Sequence, residues 1–150
     1  MASAATLLTV AIAGCGASNA PSLSAFKTGF ASDKAQFRKL GLDLQREIVG
    51  AKAKTDAQLA TDLGALSVRA KQQAAQLSKL DPPAKYKAEL QKLVSGFNAV
   101  GADLKQISVA ATRHDGPTAR TATGALGADA AKVKASDDAI TAGLGLPKQS

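Results

Sequence analysis

The stretch that decides the fold is YKAELQKLVSGFNAVGADLKQISVAA, residues 86–111. Its apolar residues recur at alternating steps of four and three, which places them along one side of an α-helix. They are Tyr86, Leu90, Leu93, Phe97, Val100, Leu104, Ile107 and Ala111. This pattern predicts a long helix with one buried face, ending near His114 and followed by the turn Asp115-Gly116-Pro117.

A second apolar stripe precedes this helix in the chain. Thr55 and Gln58 form a capping-box pair, which predicts that a helix starts there. The stripe comprises Leu59, Leu63, Leu66, Ala70, Gln73, Leu77 and Leu80, and Gln73 is its only polar member. Between the two stripes, we expect Asp81 to be the N-cap of the next helix and Pro82 to occupy its first position.

The outer segments predict two more helices. The first spans residues 24–50, with apolar positions at Phe26, Phe30, Phe37, Leu40, Leu44 and Ile48, and Asp33 lies on the same stripe. The last spans residues 118–142, with a thinner stripe at Ala119, Ala122, Leu126, Ala130, Val133, Ile140 and Leu144. Gly124 and Gly127 each weaken this helix by about 1 kcal/mol relative to Ala.

Helices of similar length joined by short turns pack antiparallel with their neighbours. The sequence therefore predicts an all-α, up-down-up-down four-helix bundle over residues 24–143, with a tail at 144–150. Hydrophobic residues make up 45% of the chain but aromatic residues only 3%, so Leu and Ala supply most of the core. Small residues beside the stripes either allow close helix approach or reflect composition alone; they are Ala53, Ala60, Gly64, Ala74, Gly96 and Gly101.

The N-terminus carries a different signal. The apolar run LLTVAIAG, residues 7–14, ends at Cys15, which is the only cysteine of the chain. A run of this length fits the apolar core of a signal peptide and is too short to span a bilayer. The four residues Ile12, Ala13, Gly14 and Cys15 resemble the lipobox of bacterial lipoproteins.

The resemblance implies an exported protein with a signal peptide at residues 1–14 that is cleaved before Cys15. It also implies a lipid on the Cys15 sulfur and a flexible tether at residues 15–23. The protein would then lie on the outer face of the bacterial cytoplasmic membrane, or on an outer membrane if the cell has one. Lipoprotein signals carry Lys or Arg before the apolar core, and residues 1–5 contain neither. Several alternatives therefore stay open. The start lies further upstream, or the amino-terminal charge suffices, or the segment is an ordinary cleaved signal peptide, or it is a disordered apolar N-terminus with an incidental cysteine and no signal at all.

Residues that carry cofactor or catalytic chemistry are sparse. His114 is the only histidine, and Glu47 and Glu89 are the only glutamates. Di-iron bundles need several inward Glu and His ligands, and zinc sites need three or four ligands, so we expect no metal and no cofactor. No serine lies in a Gly-x-Ser-x-Gly turn, so we expect no catalytic residues and no enzyme activity.

The net charge of +7 is the remaining clue to function. It either keeps a solvated surface soluble or attracts a polyanion, such as anionic lipid headgroups or acidic envelope polymers. For the second case we expect the contact residues to be Lys34, Arg38, Lys52 and Lys54, on the outer side of the first helix or at the turn after it. Nucleic acid is not an expected partner, because export would separate the protein from it and no aromatic platform accompanies the basic residues.

Two functions and a less favoured third follow from this sequence. The first is a membrane-anchored bundle that acts as an interaction module or is associated with the cell envelope, with an unknown protein partner. The alternative is a bundle that binds a small apolar ligand between Ala-lined helices, and the third is an enzyme with an unrecognised site. A long exposed apolar stripe would favour the first function, and a cavity larger than a few waters would favour the second.

Overall fold

The computed structural model describes residues 22–147 and confirms the predicted all-α four-helix bundle. The helices are α1 (Leu23–Gly50), α2 (Asp56–Leu77), α3 (Ala84–Thr112) and α4 (Gly116–Gly143), with one 3₁₀ turn, Ala51–Ala53, between α1 and α2. Within the described residues, no helix combines the length and apolar character that crossing a membrane requires.

Two of the three turns between helices are closed by side-chain caps. Thr55 Oγ1 accepts from the backbone N–H of Gln58, and Gln58 Oε1 accepts from the N–H of Thr55, which confirms the capping box. At the last turn, Asp115 Oδ1 accepts from the N–H of Thr118 at 3.1 Å. These bonds satisfy N–H groups that lack a partner within the helix.

The predicted start of α3 is wrong. Its N-cap is Pro83, which provides no side-chain hydrogen bond, and Asp81 is exposed two residues earlier. The residue before a proline is kept out of the helical conformation by the ring that follows it. Because Pro83 follows Pro82, Pro82 is unsuited to be the first helical residue, and α3 begins only at Ala84.

The apolar stripe of α3 forms the centre of the core. All its predicted members are buried except Ala111, which is half-buried beside the buried Ala110. Gln73 of α2 is also buried, as its place on the second stripe predicted. The packed region continues past residue 143, because Leu144 is buried and Leu146 packs against the core.

Small residues bring α3 close to both of its neighbours. A Cβ added to Gly101 would lie 3.1 Å from the backbone oxygen of Ser67 in α2, and one added to Gly96 would lie 2.7 Å from Cγ2 of Val133 in α4. Ser67 Oγ also donates to the Gly101 carbonyl at 2.6 Å. Close approach is therefore the role of these two glycines, which the sequence alone left undecided.

Helix α1 packs in a different way. Its backbone lies close to α2 and the 3₁₀ turn, whereas it reaches α3 largely through aromatic rings. The ring centroids of Phe26 and Tyr86 are 5.5 Å apart, and those of Phe37 and Phe97 are 5.1 Å apart. The last turns of α1 extend beyond this packing, so the prediction that Ile48 is buried is wrong: it is 59% exposed.

Candidate ligand groove

A groove of about 500 Å³ runs between α1 and α4, with α3 beneath it. Its floor is made by the buried side chains of Leu40, Phe97 and Val100. Half-buried apolar residues form the two walls: Phe37 and Leu44 of α1, and Ala130 and Val133 of α4. The exposed residues Arg38, Gly41, Leu42, Gln45 and Lys134 lie at the rim.

The groove exists because the apolar stripes of α1 and α4 differ in side-chain size. The ring contact between Phe37 and Phe97 holds α1 away from α3. On α4, the groove wall carries the smaller side chains of Ala130 and Val133. The sequence showed both stripes, and the mismatch between Phe-rich and Ala-rich faces was the available signal for the groove.

One end of the groove is polar and includes Asp137 and Asp138. Behind it, the buried Lys34 donates through Nζ to Thr141 Oγ1 at 2.7 Å and to the carbonyl oxygen of Pro147 at 3.4 Å. Thr141 Oγ1 donates in turn to Asp137 Oδ1 at 3.4 Å. These bonds join α1 to α4 and to the segment that follows α4.

The charges at this end are largely balanced. Burial raises the pKa of the Asp137 carboxyl, and the positive charge of Lys34 acts in the opposite direction. Lys134 Nζ lies 2.6 Å from Asp138 Oδ2. Arg38 differs from these groove residues, because within residues 22–147 its guanidinium has no hydrogen-bond or ion-pair partner.

The four residues predicted to contact an anionic surface do not form one face. The prediction that Lys34 lies on the outer side of α1 is wrong, since its side chain is 6% exposed and bonded to α4. Lys34 lies four residues after Phe30 and three before Phe37, so helical spacing already placed it on the apolar stripe.

The other three cations of that group remain at the surface in different settings. Lys54 Nζ donates to Glu47 and to Asp62 Oδ2, and these bonds raise the pKa of Lys54. Arg38 and Lys52 are exposed and unpaired within the described chain. Contact of these two residues with an anionic surface stays a prediction.

Two further pairs of polar groups lie outside the groove. His114 is exposed at the end of α3, and its Nδ1 lies 2.6 Å from Asp56 Oδ2. Burial raises the pKa of the Asp103 carboxyl, and the nearby negative charge of Asp129 raises it further. The sequence did not indicate that these two aspartates lie close together. Among the residues that the structure describes, no group of three or more His, Cys, Asp or Glu side chains is placed to hold a metal ion.

Cys15 and the apolar run before it lie outside the described residues, as does most of the predicted tether. The lipobox, the cleavage site and the lipid anchor therefore stay predictions from the sequence.

Comparison with known proteins finds no match: no family model, curated protein or solved structure is detectably similar to the chain.

Proposed function

We propose that the chain is an exported, lipid-anchored helical bundle that binds a small, mainly apolar molecule in the α1–α4 groove. The groove carries this proposal. Sites for small molecules are concave, occupy about 300–1,000 Å³, and combine an apolar lining with a few polar groups. The α1–α4 groove has a volume of about 500 Å³, an apolar floor and walls, and polar residues at its rim and one end.

The packing of the bundle supports a groove that a ligand can enter. One wall of the groove, α4, is fixed to α3 by the close contact at Gly96. The other wall, α1, is connected to α3 through larger side chains that keep the two backbones apart. A rigid wall facing a helix with fewer backbone neighbours allows the groove to adjust to its occupant without disturbing the rest of the core.

A second candidate function is an interaction module for a protein partner. The observation in its favour is a group of exposed apolar residues near the end of α1, namely Leu42, Ile48 and Val49. These three residues are confined to the last turns of α1 and do not make a stripe along the bundle, so we favour the ligand-binding function.

The groove is tested with a neutral, apolar fluorescent probe such as N-phenyl-naphthylamine, titrated into the purified full chain. Ala130→Phe would place a ring in the groove, because Ala130 lines its wall. Ala131→Phe is the matched control, since Ala131 is exposed on the same helix and does not line the groove. We expect saturable binding by the wild type and by Ala131→Phe, and loss of binding by Ala130→Phe.

Two results would refute the ligand-binding function. One is the absence of saturable binding by the wild type. The other is equal binding by both variants while circular dichroism shows that both are folded, since the probe would then bind elsewhere.

The lipid anchor is tested separately in cells that express the chain. Two acyl chains hold a protein on a membrane stably, so Cys15→Ser should abolish both fatty-acid labelling and membrane attachment. Equal incorporation of labelled fatty acid into the wild type and Cys15→Ser would contradict the anchor and leave the groove proposal standing.

A further inference from the structure

The groove has a charge asymmetry that bears on the kind of ligand it accepts. At its polar end, Asp138 is paired with Lys134, and the charge of Lys34 acts on Asp137. Arg38 is the charged groove residue left without a partner in the described chain. Because Arg38 lies on the exposed rim, it meets solvent on one side and the apolar groove on the other.

The shape of the groove limits the apolar part of the ligand. Its lining on α1 extends from Phe37 to Gln45, and its lining on α4 from Ala130 to Asp138. At a rise of 1.5 Å per residue, each wall is about 12 Å long. An elongated apolar chain matches a groove between two helices of this length better than a compact, polar molecule.

We infer that the groove binds a single-chain amphiphile with a carboxylate head, the chemistry of a free long-chain fatty acid. The alkyl chain lies on Leu40, Phe97 and Val100, and the carboxylate accepts hydrogen bonds from the guanidinium of Arg38. Arginine presents a planar set of N–H donors that fits a carboxylate in a bidentate manner. This inference rests on the proposed function, because it names the ligand class of the same groove.

The test compares two ligands that differ only in the head group, dodecanoate and dodecanol, by calorimetric titration into the full chain carrying Cys15→Ser at neutral pH. Arg38→Gln removes the head-group contact, and Arg38→Lys keeps the charge. Arg113→Gln is the matched control, because Arg113 is an exposed arginine that does not line the groove. Both Arg→Gln changes lower the net charge by the same amount.

We expect the wild type to bind dodecanoate about three- to fivefold more tightly than dodecanol, the range of a well-placed ion pair at a surface. Arg38→Gln should remove this preference by weakening dodecanoate binding alone. Arg113→Gln should leave it unchanged, and Arg38→Lys should keep part of it.

Four outcomes would overturn the inference. Equal binding of the two ligands by the wild type, or equal loss of both in Arg38→Gln, would leave an apolar site without head-group recognition, and the proposed function would survive. A dimer that is abolished by Ala130→Phe would assign the groove to a second copy of the chain. Failure of both ligands to bind would overturn the inference and the proposed function together.

Discussion

The two sides of α3 show opposite ways of packing a helix. Towards α2 and α4, glycine and serine bring backbones together, as at Gly101 and Gly96. Towards α1, aromatic rings separate the backbones, as in the Phe37–Phe97 contact. A groove of about 500 Å³ also lies along α3 and α4, but charged residues such as Lys92, Asp129 and Lys132 line it. The α1–α4 groove differs in having an apolar floor and apolar walls.

The difference shows that the size of the facing side chains, rather than the apolar pattern itself, decides whether two helices close on each other. Val133 of α4 illustrates both cases. It fits over Gly96 of α3, and it also forms part of the groove wall opposite α1. The α1–α4 groove lies where Phe37 of α1 faces the smaller side chains of Ala130 and Val133 on α4.

The largest effect is expected where the two kinds of packing meet, at Phe97. It is 4% exposed, contacts Phe37 and forms part of the groove floor. Phe97→Asp removes a buried ring and leaves a charge without a partner, so the free energy of unfolding should fall by about 4 kcal/mol or more. Urea unfolding followed by circular dichroism measures this loss.

Lys92→Asp is the control for this change. Lys92 is exposed on α3 and pairs with Glu89, so its replacement should cost less than about 1 kcal/mol. Similar losses for the two variants would mean that the buried side of α3 has been assigned wrongly.

The next effect concerns the close contact between α3 and α2. Gly101→Leu places a side chain against the Ser67 carbonyl, which belongs to the backbone of α2 and cannot rotate away. Overpacking of this kind should lower the free energy of unfolding by about 1–3 kcal/mol. A gain in stability would show that α2 and α3 are not held together at this point.

A smaller effect, of opposite sign, is expected at two exposed glycines of α4. Gly127→Ala and Gly124→Ala add a methyl group where nothing lies within 4 Å and replace a poor helix former by a good one. Each should raise the free energy of unfolding by up to about 1 kcal/mol, which a shift of the urea midpoint measures. A loss of stability would place another part of the molecule against this half of α4.

The smallest effect comes from the first turn of α4, which is capped by Asp115. Hydrogen bonds from the Thr118 side chain and backbone lower the pKa of Asp115. A lowered pKa in the folded state stabilises the protein above the ordinary pKa of Asp, and this contribution is lost as the pH falls through the lowered value.

Thermal unfolding of the wild type and of Asp115→Asn between about pH 5 and pH 2 tests this effect, since both residues cap helices well and only one of them titrates. The variant should lose less stability than the wild type as the pH falls below about 4. Parallel curves for the two proteins would show that the carboxylate contributes nothing.

Much of the fold could be predicted because its signals are local. The regular stripe of α3 and the capping box at Thr55 depend only on spacing within one helix, and the structure confirms both. Asp81 was misplaced because the effect of Pro83 on Pro82 outweighs the preference of an aspartate for the N-cap. Ile48 was misplaced because its exposure depends on where α1 leaves the other helices.

The site was harder to predict, because it depends on pairs of helices. Lys34 resembles a surface residue by type, although its spacing from Phe30 and Phe37 placed it on the apolar stripe. Its bond to Thr141 of α4, which the sequence did not indicate, gives the buried ammonium a partner. The groove depends on both the spacing set by Phe37 and the small side chain of Ala130, two positions that are distant in sequence. Spacing within a single helix carries no information about such a match.

The most direct test of the account is hydrogen exchange of the full chain, measured with and without dodecanoate. Without the ligand, we expect amides in the second half of α1 to exchange faster than those in the middle of α3, because α1 as a whole has fewer backbone neighbours than α3. With the ligand, exchange should slow in residues 37–45 and 130–138, the two walls of the groove. Slowing confined to other helices, or no change at all, would contradict the account.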